Sequence, residues 1–165
     1  MMSIRIFGQL NQLKRRTAYF LFSVFLLSVQ SQTVTAGGTA SSSPYFIEGY
    51  DVVSYFRDTG PLEGKPSFST NYEDHTLIFS SAENLNAFKE DPESYMPAYN
   101  GYCAYGMVYG MKSKVDPLQY DVVDGRLYLQ LDGGTKKRWN RRVSRNIRKS
   151  DKIWKKLTAP SEECR

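Results

Sequence analysis

The stretch YDVVDGRLYLQL, from Tyr120 to Leu131, decides how the rest of the chain is read. Apolar residues alternate on both sides of Asp124-Gly125, a pair suited to the positive φ angles of a two-residue type I′ turn. The pattern predicts a β-hairpin, ended by Gly133-Gly134. A second hairpin is predicted upstream, where PSFSTNY (66–72) and HTLIFSS (75–81) flank Glu73-Asp74. Ser80 stands three residues before Glu83, the spacing of a capping box, so a helix is expected to open there. That helix, AENLNAFKED (82–91), brings Leu85 and Phe88 onto one face, and Pro92 starts a new turn through Tyr95. Further on, Trp139, Val143 and Ile147 recur at i, i+4 and i+8, which predicts a helix with its lysines and arginines facing outward. A later turn is expected to bring Trp154 and Leu157 to the core.

Together these segments predict an α+β fold: small antiparallel hairpins packed against helices, with a basic amphipathic helical segment at the C-terminal end. No internal repeat is visible in the sequence. A chain of 165 residues with 41% hydrophobic residues suits one domain with a real core and excludes global disorder. The boundaries follow from composition. Residues 37–44 read as a flexible linker, 45–157 as the compact domain and 158–165 as a disordered tail.

The first 36 residues hold Arg5, Lys14, Arg15 and Arg16 and no acid. An apolar run from Thr17 to Val29 follows, and Val34-Thr35-Ala36 offers small residues at the positions a signal peptidase requires. Residues 1–36 are therefore expected to be a secretory signal peptide, the apolar run being shorter than the roughly 20 residues a membrane span needs. The alternative is an uncleaved anchor. Either way the folded part is expected to be secreted or otherwise extracytoplasmic.

Removing that segment takes four basic residues from a formal net charge of +5, so the basic character of the whole chain is largely a property of the leader. What remains is uneven. Residues 37–135 carry 6 basic and 14 acidic residues, whereas 136–156 carry 11 basic residues and the single acid Asp151. Such a block suits either a solvated helix face or an anionic surface as partner. Nucleic acid is not expected, because an exported chain with no nucleic-acid-binding motif has no reason to meet it.

The chemistry-bearing residues concentrate in YMPAYNGYCAYGMVYGMKSKVDP (95–117). If this segment were helical, Cys103, Met107 and Met111 would line up as a stripe of sulfur ligands, a set suited to Cu(I), with Met96 close upstream. Gly101, Gly106 and Gly110 each disfavour helix by about 1 kcal/mol relative to alanine, and buried methionine and cysteine also serve as ordinary core. An enzyme reading would pair Cys103 with the only histidine, His75. Asp51 and Asp116 read as caps of helices or turns. No serine elbow, phosphate-cradling glycine loop or dinucleotide fingerprint occurs. Cys103 and Cys164 could pair in an oxidising compartment, or Cys103 could stay free and buried.

In order and content, GYDVVSYF (49–56), the run from Gly64 to Tyr105, VDGRLYL (123–129) and the basic tail ending DKIW (151–154) resemble the YHS domain family, in its exported single-domain form. The resemblance runs from about Ile47 to Leu157. It implies an association with metal binding, which in other members rests on cysteines in D-P-V-C-G-M and F-C-S-x-x-C motifs. Here Ser54, Ser80 and Asn84 stand in those cysteine places and Phe68 replaces the histidine of the family name. The resemblance thus implies a non-catalytic structural or interaction domain that has lost the usual metal site. The alternatives are a soft-metal module that holds copper through Cys103 and Met107, and a cysteine-dependent enzyme.

Overall fold

A computed structural model describes residues 43–160 of the chain. The expected signal peptide (1–36), most of the expected linker, most of the expected tail and Cys164 lie outside the described residues. Both predicted hairpins form. Strand β1 (Lys65–Tyr72) pairs antiparallel with β2 (His75–Phe79), and β3 (Asp116–Val123) with β4 (Arg126–Gln130). Glu73 and Asp124 take positive φ at the first turn position of each, and Gly125 follows at +74°. The helices are α1 (Ala82–Glu90), α2 (Pro92–Tyr95), α3 (Ala104–Met107), α4 (Gly133–Asn140) and α5 (Val143–Thr158). The fold is α+β, with two two-stranded sheets packed against helices.

The two halves of the domain are built to one plan, although the sequence shows no repeat. The pairing in the first hairpin is Lys65 with Phe79, then Ser69 with Ile78 after an irregularity, ending at Tyr72 with His75. Adding 51 to each number gives the second: Asp116 with Gln130, Tyr120 with Leu129 after the same irregularity, ending at Val123 with Arg126. The correspondence extends both ways. A left-handed turn with positive φ at Ile47, Glu48 and Gly49 recurs 52 residues on at Tyr99, Asn100 and Gly101. Downstream, the caps of α1 and α4 are Ser81 and Asp132, and the N-cap positions of α2 and α5 are Asp91 and Arg142, again 51 apart.

Each half has its own core, made by equivalent positions. Ile47, Val52, Tyr55, Leu77 and Phe88 pack in the first, and Tyr99, Ala104, Met107, Tyr128 and Trp139 in the second. Strand β4 joins them into one body: Leu127 and Leu129 enter the first core and Tyr128 the second. A strand buried on both faces reads as a continuous apolar run, which is why Leu127, Tyr128 and Leu129 follow one another without alternation. Tyr55 adds a polar tie between the halves, its hydroxyl donating to the Pro117 carbonyl at 3.0 Å.

Four local expectations are corrected. Ser81, not Ser80, caps α1, its hydroxyl accepting from the Asn84 amide, because Ser80 is drawn away to the Asp51 carboxylate. Gly133-Gly134 do not close the second hairpin but begin α4, whose cap is a reciprocal Asp132–Thr135 pair. The basic helix is broken at Arg141-Arg142, where Arg142 leaves helical geometry (φ −152°, ψ 51°), so Trp139 lies in α4 and Val143 and Ile147 in α5. Trp154 does pack on the second core, but Leu157 is exposed, since the end of α5 runs past the last residues it could cover.

Candidate functional site

The sequence GYD after the first left-handed turn places Asp51 at the centre of the N-terminal half. Its carboxylate is fully buried and accepts four hydrogen bonds. Oδ1 takes the Val53 amide at 2.9 Å. Oδ2 takes the Ser80 amide at 2.9 Å, the Ser80 hydroxyl at 2.6 Å and the Asn84 side-chain amide at 2.7 Å. Ser54 completes the cluster, its hydroxyl donating to the Asp51 carbonyl at 2.6 Å and accepting from the Leu62 amide at 2.9 Å. Ser54, Ser80 and Asn84, scattered over 31 positions of the chain, therefore meet at one aspartate, Ser80 and Asn84 at its carboxylate and Ser54 at its backbone carbonyl. Their polar atoms are occupied there, and none is a thiolate or imidazole, so the cluster does not fit zinc or copper.

In the C-terminal half the residue equivalent to Asp51 is Cys103. It is buried and sits at the N-cap of α3. Its sulfur accepts from the Gly106 amide at 3.4 Å and the Leu131 amide at 3.3 Å, and the thiol donates to Gln130 Oε1 at 3.7 Å. One donor corresponds to one at Asp51, the amide at the exit of the hairpin; the other differs, because Tyr105, the equivalent of Val53, donates to Gln130 Oε1 and Gly106 turns to the sulfur instead. Ser80 and Leu131, which supply the exit amides, are 51 apart. Even the backbone tie recurs, with the Asp51 amide donating to the Leu62 carbonyl and the Cys103 amide to the Ser113 carbonyl.

The other sulfur residues disperse. Helix α3 is a single turn, and Gly110, at φ +76°, turns the chain away before a second can form. Met107 ends that turn, fully buried in the second core. Met111 is exposed, and Met96 packs on the first core. The stripe expected from helical spacing does not form beyond Cys103 and Met107. Among the described residues, no group of three or more His, Cys, Asp and Glu side chains is placed to hold a metal ion.

His75 begins β2. Its ring stacks on Phe46 at 4.1 Å, and its Nε2 is 2.7 Å from Asn100 Oδ1. It bridges the two left-handed turns, and no hydrogen bond joins it to Cys103 among the described residues. Asp116 behaves as a turn residue, Oδ1 accepting from the Leu118 amide at 2.9 Å. Phe68 packs half-buried on the first core.

Gln130 was not singled out by the sequence reading. It is fully buried, its Oε1 accepts from the Tyr105 amide at 3.1 Å, and its Nε2 has no partner among the described residues. The available signal was a lone amide at the end of the apolar run LYLQ. No family model, characterised protein or solved structure matches this chain.

Proposed function

We propose that the chain is an exported, non-catalytic structural or interaction domain of the YHS type, in which hydrogen-bonded polar side chains have taken over the place of a metal site. One observation carries this reading. Asp51 and Cys103 occupy equivalent positions of two similar halves, and each accepts the amide at the exit of its hairpin together with one from the turn that follows it. A carboxylate cannot be a soft-metal ligand or a sulfur nucleophile, so what the two positions have in common is acceptance. Each ties the turn that follows a left-handed bend to the exit of a hairpin. On this reading Cys103 is a buried acceptor and Met107 is core.

A copper-binding reading of Cys103 and Met107 draws support from their sharing one buried helical turn. Against it stands the dispersal of the other sulfur donors, Met111 being exposed and Met96 packed on the first core. A competition titration for Cu(I), with bicinchoninate as the competing chelator, separates the readings. The full chain should hold Cu(I) no more tightly than its Cys103→Ser, Met107→Leu double variant. A markedly tighter wild type overturns the proposal in favour of the metal module.

A further inference from the structure

The broken basic helix creates a feature that neither the hairpins nor the Asp51 and Cys103 clusters require. Arg138, Arg141, Arg142, Arg145 and Lys149 line one open cavity of about 460 Å³ at the junction of α4 and α5. Tyr105 and Tyr109 form its opposite wall, their hydroxyls 3.3 Å apart. No acid is among the residues lining it, and none of the five cations joins either of the two ion pairs found among the described residues. Gathering like charges around a concavity is unfavourable unless a counter-charge occupies it.

The other half of the domain shows that the fold does not need this cavity. Two residues lining it, Val108 and Asn146, correspond to Phe56 and Tyr95, which meet edge to face at 5.5 Å. There the equivalent crevice is packed with aromatic rings. Its rim positions are acidic: Glu90 and Asp91 stand where the C-terminal half has Arg141 and Arg142. Asp91 caps its helix with its own carboxylate, whereas Arg142, at the N-cap of the 16-residue α5, supplies no side-chain acceptor. The helix end adds its partial positive charge to the arginines. Their fields also reach the tyrosine wall. The bond to Tyr109 raises the Tyr105 phenol above its ordinary pKa, while Arg138 and Arg141 pull it back.

We propose that this cavity binds an organic phosphate carrying two or more phosphate groups, gripped by the guanidinium groups of Arg138, Arg141, Arg142 and Arg145 with the tyrosine hydroxyls as further donors. Guanidinium groups match tetrahedral oxyanions through paired N–H donors, and the volume exceeds what a single phosphate fills. The ligand is either a phosphorylated lipid headgroup or a soluble phosphate ester. This inference stands apart from the reading of Asp51 and Cys103, since none of their contacts enters it.

Calorimetric titration of the full chain with inorganic pyrophosphate tests it. One saturable site is expected. Arg141→Gln with Arg145→Gln should weaken it by at least about tenfold, the loss of one charge-assisted hydrogen bond. Lys152→Gln with Lys155→Gln removes the same charge from a part of α5 outside the cavity and should change affinity by no more than about twofold. Equal weakening by both pairs, or no saturable binding to the wild type, overturns the proposal. Flotation with vesicles containing phosphatidylinositol 4,5-bisphosphate, set against phosphatidylserine vesicles of equal surface charge, assigns the source. Retention on the former alone, lost in the arginine pair, identifies a lipid headgroup. Retention on neither, with pyrophosphate still bound, identifies a soluble phosphate. Equal retention on both that survives the arginine changes is attraction by charge alone, and overturns the cavity as the site.

Discussion

Replacing Asp51 should damage this domain more than its small size suggests, and the structure says how much. The carboxylate is fully buried and receives four donors. In Asp51→Ala, the Ser80 hydroxyl and Asn84 side chain still have each other, at 3.2 Å. The Val53 and Ser80 amides have no alternative acceptor, and each stranded buried donor costs about 1–3 kcal/mol. With the cavity left by the side chain, the total is about 3–5 kcal/mol, a large share of the roughly 5–15 kcal/mol typical of a whole domain. Asp51→Asn keeps the shape and one acceptor oxygen. With that oxygen toward Ser80 and Asn84, its NH₂ faces the Val53 amide, donor against donor, so a loss of about 2–3 kcal/mol is expected. Urea denaturation followed by tryptophan fluorescence and circular dichroism should rank wild type above Asn above Ala, with an unchanged denaturant slope. A loss below about 1 kcal/mol in Asp51→Ala would refute the claim that this carboxylate holds the N-terminal half together.

Three further outcomes follow from particular contacts. In a double-mutant cycle, Ser80→Ala should couple to Asp51→Asn by about 1 kcal/mol, whereas Ser81→Ala, which removes the cap of α1, should cost about 1 kcal/mol and simply add. An added Cβ at Gly64 would stand 2.5 Å from the Ile78 carbonyl, so Gly64→Ala must displace a hairpin strand and lower stability by about 2 kcal/mol or more, read as a fall in Tm. Burial, first of all, raises the phenols of Tyr55 and Tyr99 far above their ordinary range, with Asp151 reinforcing the shift at Tyr99. The folded state therefore keeps protons that the unfolded state releases. This stability is fully present below the unfolded tyrosine value of about 10 and is lost as pH rises beyond it. Tyrosinate absorbance should show these two rings ionising only as the chain unfolds; their ionisation in the folded state near pH 10 would contradict the burial argument.

Much of the fold was legible because the hairpins and α1 carry local signals. Asp124-Gly125 and Glu73-Asp74 can be read as turns within a dozen residues, and Leu85 with Phe88 marks a helix face. The repeat was hidden for a physical reason: each role is filled by a different chemistry in the two halves. A buried acceptor is a carboxylate at Asp51 and a thiol at Cys103, a helix cap is Ser81 or Asp132, and a core plug is Phe88 or Trp139. Beyond the glycine and tyrosine of FIEGYD (46–51) and AYNGYC (98–103), little in the letters marks these turns as equivalent. The sulfur stripe failed for a related reason. Helical spacing is a property of long helices, and Gly110 ends the segment after one turn. Ser54, Ser80 and Asn84 could be singled out in sequence, but their convergence on Asp51 depends on long-range pairing that local patterns do not contain. The basic cavity was half visible, as a charge block. Its tyrosine wall comes from α3 and the residues just after it, and its shape from the break at Arg142.

On the proposed reading Cys103 serves as an acceptor, as Asp51 does, rather than as a ligand, nucleophile or simple filler. The most direct test compares the denaturation free energies of Cys103→Ser and Cys103→Ala. A serine hydroxyl can accept the Gly106 and Leu131 amides and should cost about 1 kcal/mol, whereas alanine strands the buried Gly106 amide and leaves a cavity, and should cost about 2–3 kcal/mol. Equal losses, or a serine variant less stable than the alanine one, would show that the sulfur is there as an apolar filler and contradict the claim.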